Sequence, residues 1–422
     1  MKKQKIAMLS LAAVLVFGGC GQKGSDADPA EKAPDTSVSQ GTEASGEIHL
    51  TIWSGEEDKE LLQVITDNFI KEHAGEADIT VDWAVMTEGE CRSNLLGDVL
   101  NGPDIYTTTD GDIRTIVAGG AASPVVNAEE VSAANLDASV EALTCNGKLY
   151  GYPLTADNGY FLYYNKAYFT EEDIKSLDTI LAIAEANGKK FAMDWSSGWY
   201  LYSFFGQTGL KVGLNSDGVT NFCDWNSTTN PIKGVDVANA LLAISASPAF
   251  ESTSAWMDGV NSGEVIAFVS GVWDEAAVKA VWGDDYGASK LPSYTCAGQQ
   301  VQMSCYFGYK MIGVNPYSEH VEWAHKLAEY ISNEENQELR FQMRGQGPSN
   351  IKAAESPEIM EATAIQAVLA QSAYSELQRL GGNFWDPATE FGNTMAAGNP
   401  ENLDLQEYLD SLVERITAST VK

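Results

Sequence analysis

An α/β fold in two lobes follows from three features of this 422-residue chain. Past residue 46, strand-like and helix-like stretches alternate as β-α-β-α-β, the order of a parallel or mixed sheet with helices on its faces. The 376 residues from 47 onward are more than one hydrophobic core usually serves, since single cores stop growing near about 250–300 residues. Hydrophobic residues make up 44% of the chain, yet no long apolar run follows residue 20, so the body reads as soluble and globular.

Taken in chain order, residues 1–19 read as an export signal. Lys2, Lys3 and Lys5 supply its positive start. Ile6 to Phe17 supply an apolar run shorter than the roughly twenty residues that span a bilayer. Gly18-Gly19-Cys20 resembles the lipobox of bacterial lipoproteins, with Phe17 standing where Leu is usual. That resemblance implies diacylation of Cys20, and two acyl chains are what stable anchoring requires. Residues 20–46 then form a tether. After the cysteine they read "GQKGSDADPAEKAPDTSVSQGTEASG", with almost no large apolar side chain to offset the entropy of ordering. The expected place is the outer face of a cell membrane.

The body opens with the β-rich "EIHLTIWSG", then "EEDKELLQVITDNFIKEHAG", where Leu61, Leu62, Ile65, Phe69 and Ile70 fall at helical spacing and Gly75 marks a stop. "ADITVDWAVM" predicts a second strand, residues 90 to 101 a helix, and "GPDIYTTTDGDI" a third strand running into a loop. Ligands of such sheets sit beyond the C-terminal strand ends, here Ser54 to Glu57, Met86 to Glu90 and Thr107 to Asp112. The middle third is aromatic: "NGYFLYYNKAYF" reads as a strand and "WSSGWYLYSFFGQTG" as a Gly-containing bend. "EVIAFVSGVWDEAAVKAVWG" pairs a buried strand with a helix starting near Trp273, and "YFGYKMIGVNP" predicts a further strand. The tail, 355 to 416, reads as helical with a break at "GGNFWDP".

Charge and cysteines narrow the function. With the three signal lysines removed, the formal net charge goes from −33 to −36. Nucleic acid, anionic head groups and polyanions are poor partners for that field. Beyond Cys20 there are Cys91, Cys145, Cys223, Cys296 and Cys305, with no CxxC spacing, and the four histidines form no paired-ligand pattern. Neither a metal nor a cofactor is expected. Cys296 and Cys305 flank "AGQQVQMS", a turn or hairpin, so either a disulfide there or buried free thiols fits.

In order and spacing, "LTIWSGEEDKELLQVITDNFIKEH", "GPDIY", "GKLYGYPLTADNGYFLYYNK", "SGVWD", "YKMIGVNPYS" and "RGQGPSN" together resemble the extracellular solute-binding proteins of sugar ABC importers, the maltose/maltodextrin-binding kind above all. The resemblance implies the two-lobe periplasmic-binding-protein-like fold (type II), with a ligand cleft between lobes joined by hinge crossings. It sets the N-terminal lobe at 47–154 plus 309–350 and the C-terminal lobe at 155–308 plus 352–422. It also implies a non-catalytic monomer that closes around a neutral oligosaccharide, malto-oligosaccharides first, and hands it to a membrane permease.

Residue by residue, the resemblance puts Asp157 of "YPLTADNG" on sugar hydroxyls and Trp199 of "SGWYLY", with Tyr200 beside it, on a sugar ring. Trp273 of "SGVWD" and Trp385 of the Phe384-Trp385 pair match two further stacking positions. Acids after the first and third strands match Glu56 or Glu57 and Asp110 or Asp112. The chain departs from the family in lacking a tryptophan in "TTTDGDIR", where Arg114 is displaced by two positions. It also departs in having Thr389 where an arginine is usual.

The chemistry stands beside the resemblance. Flat aromatic side chains cover the apolar C–H faces of sugars, and carboxylates accept from the hydroxyl rim. A cleft of tryptophans and acids with few basic residues suits a neutral oligosaccharide. Plainer roles are open too. Trp53, Trp323, Trp256 and Trp282 read as packing, and Trp195, Trp199, Trp273 and Trp385 as exposed. Asp157 fits a turn, Glu56 to Asp58 fit first-turn acids, and Asp110 and Asp112 fit a turn or a cation. Two other classes compete: a secreted glycoside hydrolase, which also needs paired carboxylates, and a binder of amines or peptides.

Overall fold

The computed structural model describes residues 46–419; Cys20 and the tether lie outside the described residues. Two five-stranded sheets organise the body. The first runs Asp78–Val85, Glu47–Ser54, Ile105–Thr109, Lys310–Val314, Tyr152–Thr155, its first three strands parallel and Lys310–Val314 antiparallel to both neighbours. In Glu47–Ser54 the buried residues alternate, Ile48, Leu50, Ile52 and Ser54, as a strand covered on one face requires. Helix Lys59–Glu72 buries Leu61, Leu62, Ile65 and Phe69 and ends before Gly75, whose φ of 105° favours glycine. Helix Val321–Ile331 buries Ala324, Leu327, Ala328 and Ile331 in the same core.

The second sheet runs Phe250–Glu251, Lys190–Ala192, Val265–Ser270, Phe161–Asn165, Tyr286–Ser289. Every residue of Val265–Ser270 is buried, which fits a central strand covered on both faces. Its core draws on residues 160–306 and again on 359–416, where helices Thr363–Ser372, Trp385–Ala396 and Leu405–Ile416 pack. The first core draws on residues 48–154 and 311–331.

The chain passes between the sheets at residues 155–161, at Gly308-Tyr309 and near Gly347. These passages hydrogen-bond one another: Ala156 N–H donates to the Gly347 carbonyl (2.9 Å) and Asn158 N–H to that of Gly308 (3.3 Å). The segment "YFGYKMIGVNP", expected as one strand, is therefore two. Cys305–Phe307 pairs with Ser375–Leu377, a strand inside the tail expected to be helical, while Lys310–Val314 joins the first sheet. The stretch between Cys296 and Cys305 is mostly a hairpin, Ser293–Cys296 against Gln299–Gln302, turning through Ala297 and Gly298 at positive φ. Cys91, Cys145, Cys223, Cys296 and Cys305 are all free thiols. Among the described residues no helix is long and apolar enough to cross a membrane.

Candidate functional site

A cavity of about 460 Å³ opens between the two sheets. One wall comes from the side of the first sheet and carries Glu57, Glu88, Arg92 and Asp112; the other carries Trp199, Trp273 and Trp385. Apart from Arg92, which sits inside helix Glu88–Gly97, these wall residues lie in short turns or at element ends, where side chains are free to project.

Trp273 sits in the short turn Val272–Asp274 between strand Val265–Ser270 and helix Glu275–Trp282. Its indole folds back over Gly271, where a Cβ would lie 2.1 Å from the ring, so only glycine permits this pose. Asp274 fixes the turn, accepting from the Ser270 hydroxyl (2.6 Å) and the Trp256 indole N–H (2.8 Å). Trp199 lies in the single turn Gly198–Leu201, its ring 5.8 Å from that of Trp273 with planes 33° apart. Tyr160 meets Trp199 edge-on at 4.6 Å and donates its hydroxyl to the Trp199 carbonyl (2.7 Å). Trp385 begins helix Trp385–Ala396, and Phe384 supports it edge-on at 5.1 Å.

The opposite wall is more cationic than a tryptophan-and-acid reading of the sequence anticipates. Arg92 donates to Asp112 (2.5 Å), and Lys310, which also lines the cavity, donates to Glu88 (2.7 Å). Burial raises the Asp112 carboxyl above its ordinary range, and Arg92 pulls it back only in part. Burial alone would lower Lys310, but Glu88 and Asp58 outweigh it and push its ammonium upward. Its Nζ also lies 5.9 Å from the Trp273 ring centroid, so this lysine links the acidic wall to the aromatic one.

Of the nine predicted positions, the cavity gathers five, Glu57, Asp112, Trp199, Trp273 and Trp385, whereas Glu56, Asp110, Asp157 and Tyr200 do not line it.

 The lining five are therefore one glutamate, one aspartate and three tryptophans, and the other four lie elsewhere. Asp110 is buried behind the wall, accepting from Arg379 (2.6 Å) and the Tyr309 N–H (2.8 Å). Burial pushes its carboxyl up, and Arg379 pulls it back in part. Asp157 is buried in a crossing and accepts the Gly347 N–H. Tyr200 packs between Tyr160 and Trp256 (4.9 and 5.9 Å), and Glu56 is exposed at the start of the short turn Glu56–Asp58. Trp195, expected exposed, is fully buried against Phe250 and Phe204, because strand and bend close over it. Trp256 and Trp282 pack as expected; Trp53 and Trp323 sit on the first core half-buried.

Sequence reasoning missed Glu88, Arg92, Asn158, Lys310 and Gln378 as lining residues. Glu88 lay within a predicted strand end, which was the available signal. Lys310 falls inside the predicted strand "YFGYKMIGVNP", and nothing local marks it as facing a cavity.

This architecture has known counterparts. The pattern of the bacterial extracellular solute-binding proteins matches residues 65–367. A galactooligosaccharide-binding protein of Bacillus subtilis (strain 168) is 27% identical over 428 aligned positions, covering 98% of this chain and 96% of that protein. The fold is similar to a maltodextrin-binding protein from L. casei BL23, with TM-score 0.74 and 22% identity over 89% of this chain and 100% of that one. It is also similar to the Thermus thermophilus maltotriose-binding protein, with TM-score 0.72 and 18% identity over 87% and 99% of the two chains. These relatives are binding proteins rather than enzymes, and the chain belongs to the bacterial extracellular solute-binding protein family.

Proposed function

We propose that this protein captures oligosaccharides by closure of its two lobes and delivers them to the permease of an ABC importer. One observation carries the reading: three tryptophans on one wall of a single cavity face Glu57, Glu88 and Asp112 on the other. Sugar rings would stack on Trp199, Trp273 and Trp385, and their hydroxyl rims would meet the carboxylates and the amides of Asn158 and Gln378. The cavity's about 460 Å³ falls within the size range of small-ligand sites. Asp110, Asp157 and Tyr200, buried behind the wall, would position it rather than touch sugar, and Glu56, exposed at the first turn, would take no part.

Closure would pivot on the crossings at 155–161, Gly308-Tyr309 and Gly347, with lobes of 47–154 plus 309–350 and 155–308 plus 352–422. Diacylation at Cys20 would hold this monomer beside its permease on the outer face of the membrane, and residues 20–46 would let it reach for solute.

Malto-oligosaccharides are the leading ligand, supported by the maltodextrin-binding neighbours. Galacto-oligosaccharides are the second reading, supported by the relative that matches along 98% of this chain. Calorimetry of the purified protein with maltotriose, galactotriose and xylotriose decides between them. Saturable binding of maltotriose alone supports the first, and of galactotriose alone the second. Absence of heat with every neutral sugar overturns the proposed function.

A further inference from the structure

A second cavity, of about 770 Å³, adjoins the first and shares Arg92 with it. The whole chain has six arginines, and three of them, Arg92, Arg114 and Arg379, line this cavity. No lysine and no tryptophan lines it, although the chain is richer in both than in arginine. The two compartments therefore differ in kind: one offers flat apolar faces, the other guanidinium forks.

Those forks are largely unspent. Arg92 and Arg379 each use only Nη1 on a carboxylate, of Asp112 and Asp110 respectively; their Nε and Nη2 make no hydrogen bond among the described residues and are not sealed from solvent. Arg114 is exposed and forms no ion pair or side-chain hydrogen bond among the described residues. The acid that lines this cavity, Asp217, is engaged locally by the Val219 and Thr220 N–H groups (both 2.9 Å) and the Thr220 hydroxyl.

Guanidinium matches a carboxylate through two parallel N–H···O bonds, a fit that an ammonium lacks. At −33 overall the protein repels free polyanions at long range, but a single acid group on a ligand already held by stacking meets the local arginines instead. We infer that the arginine-lined cavity is a second compartment of the ligand site and takes the carboxylate of a terminal uronic acid, on an oligosaccharide whose neutral rings occupy the tryptophan-lined one. The inference rests on the proposed oligosaccharide function.

The test is calorimetry of the purified protein and of Arg114→Gln with four probes: maltotriose, galactotriose, and each of these oxidised to a carboxylate at C6 of its terminal unit. One acidic probe should bind at least about tenfold tighter than its neutral parent. Arg114→Gln should erase most of that gain while leaving the neutral parent's affinity unchanged, and added salt should weaken the gain in the parent protein. A neutral trisaccharide binding as tightly as its acidic form overturns the inference and leaves the oligosaccharide function standing. Failure of all four probes to bind overturns both.

Discussion

Asp157 and Gly347, 190 positions apart, meet where the chain crosses between the two sheets: the carboxylate Oδ2 accepts the Gly347 N–H, and Oδ1 has no hydrogen-bond partner among the described residues. Burial pushes this carboxyl up to about 6, with the Gly347 N–H pulling the other way. The folded value lies above the ordinary 3.8, so the fold favours the proton. That contribution is complete below the unfolded value and is lost as pH rises through about 6. Asp157→Asn should therefore gain on the parent protein by on the order of 1–3 kcal/mol more at neutral pH than in mild acid. Urea unfolding at both pH values checks it; parallel stability profiles would show that the crossing does not sense this proton.

A buried ion pair joins helix Glu334–Arg344 to the start of the first helix. Arg340, 1% exposed, donates to Asp58 and to Gln346, both at 2.7 Å, and Arg344 adds a contact at 3.2 Å. Burial pushes Asp58 up, but Arg340, Lys310 and Arg344 outweigh it and hold the carboxyl at about 2. Arg340→Met leaves a buried carboxylate short of its main partner and should cost about 3–5 kcal/mol. Because Asp58 is depressed, its contribution is full above 3.8 and lost as pH falls toward about 2, so the variant should also unfold at higher pH on acid titration. A loss in urea below about 1 kcal/mol would contradict this.

Gly271→Ala tests the pose of Trp273 without removing the ring. The added methyl meets the indole, which must swing away, while the Tyr163 hydroxyl can still donate to the residue 271 carbonyl (2.9 Å now). Sugar affinity should fall at least about tenfold with a stability loss near about 1 kcal/mol. Unchanged affinity would mean that Trp273 binds nothing in the pose seen here.

Periodicity makes the first sheet and its covering helix readable. Leu61, Leu62, Ile65 and Phe69 repeat at helical spacing, Ile48, Leu50 and Ile52 alternate, and both patterns report burial directly. The cavity-lining tryptophans at 199, 273 and 385 are legible because each adjoins turn-forming residues; Trp195 has the same neighbours and is buried, since local sequence does not reveal what packs over a bend. The split of "YFGYK" into strands of different sheets was hidden because Cys305–Phe307 finds its partner only at Ser375–Leu377. The cations of the site were hidden for a related reason. Lys310 and Glu88 are 222 positions apart, and their pairing exists only once the crossings bring them together.

The most direct test of the central claim is a fluorescence titration of the protein and of Trp199→Ala, Trp273→Ala and Trp385→Ala with the trisaccharide that calorimetry identifies. The account predicts a saturable change in the parent protein and affinity lowered at least about tenfold in each variant, since each removes one stacking face from a shared cavity. Parent-like affinity in all three variants would contradict it and place the sugar somewhere other than between the two sheets.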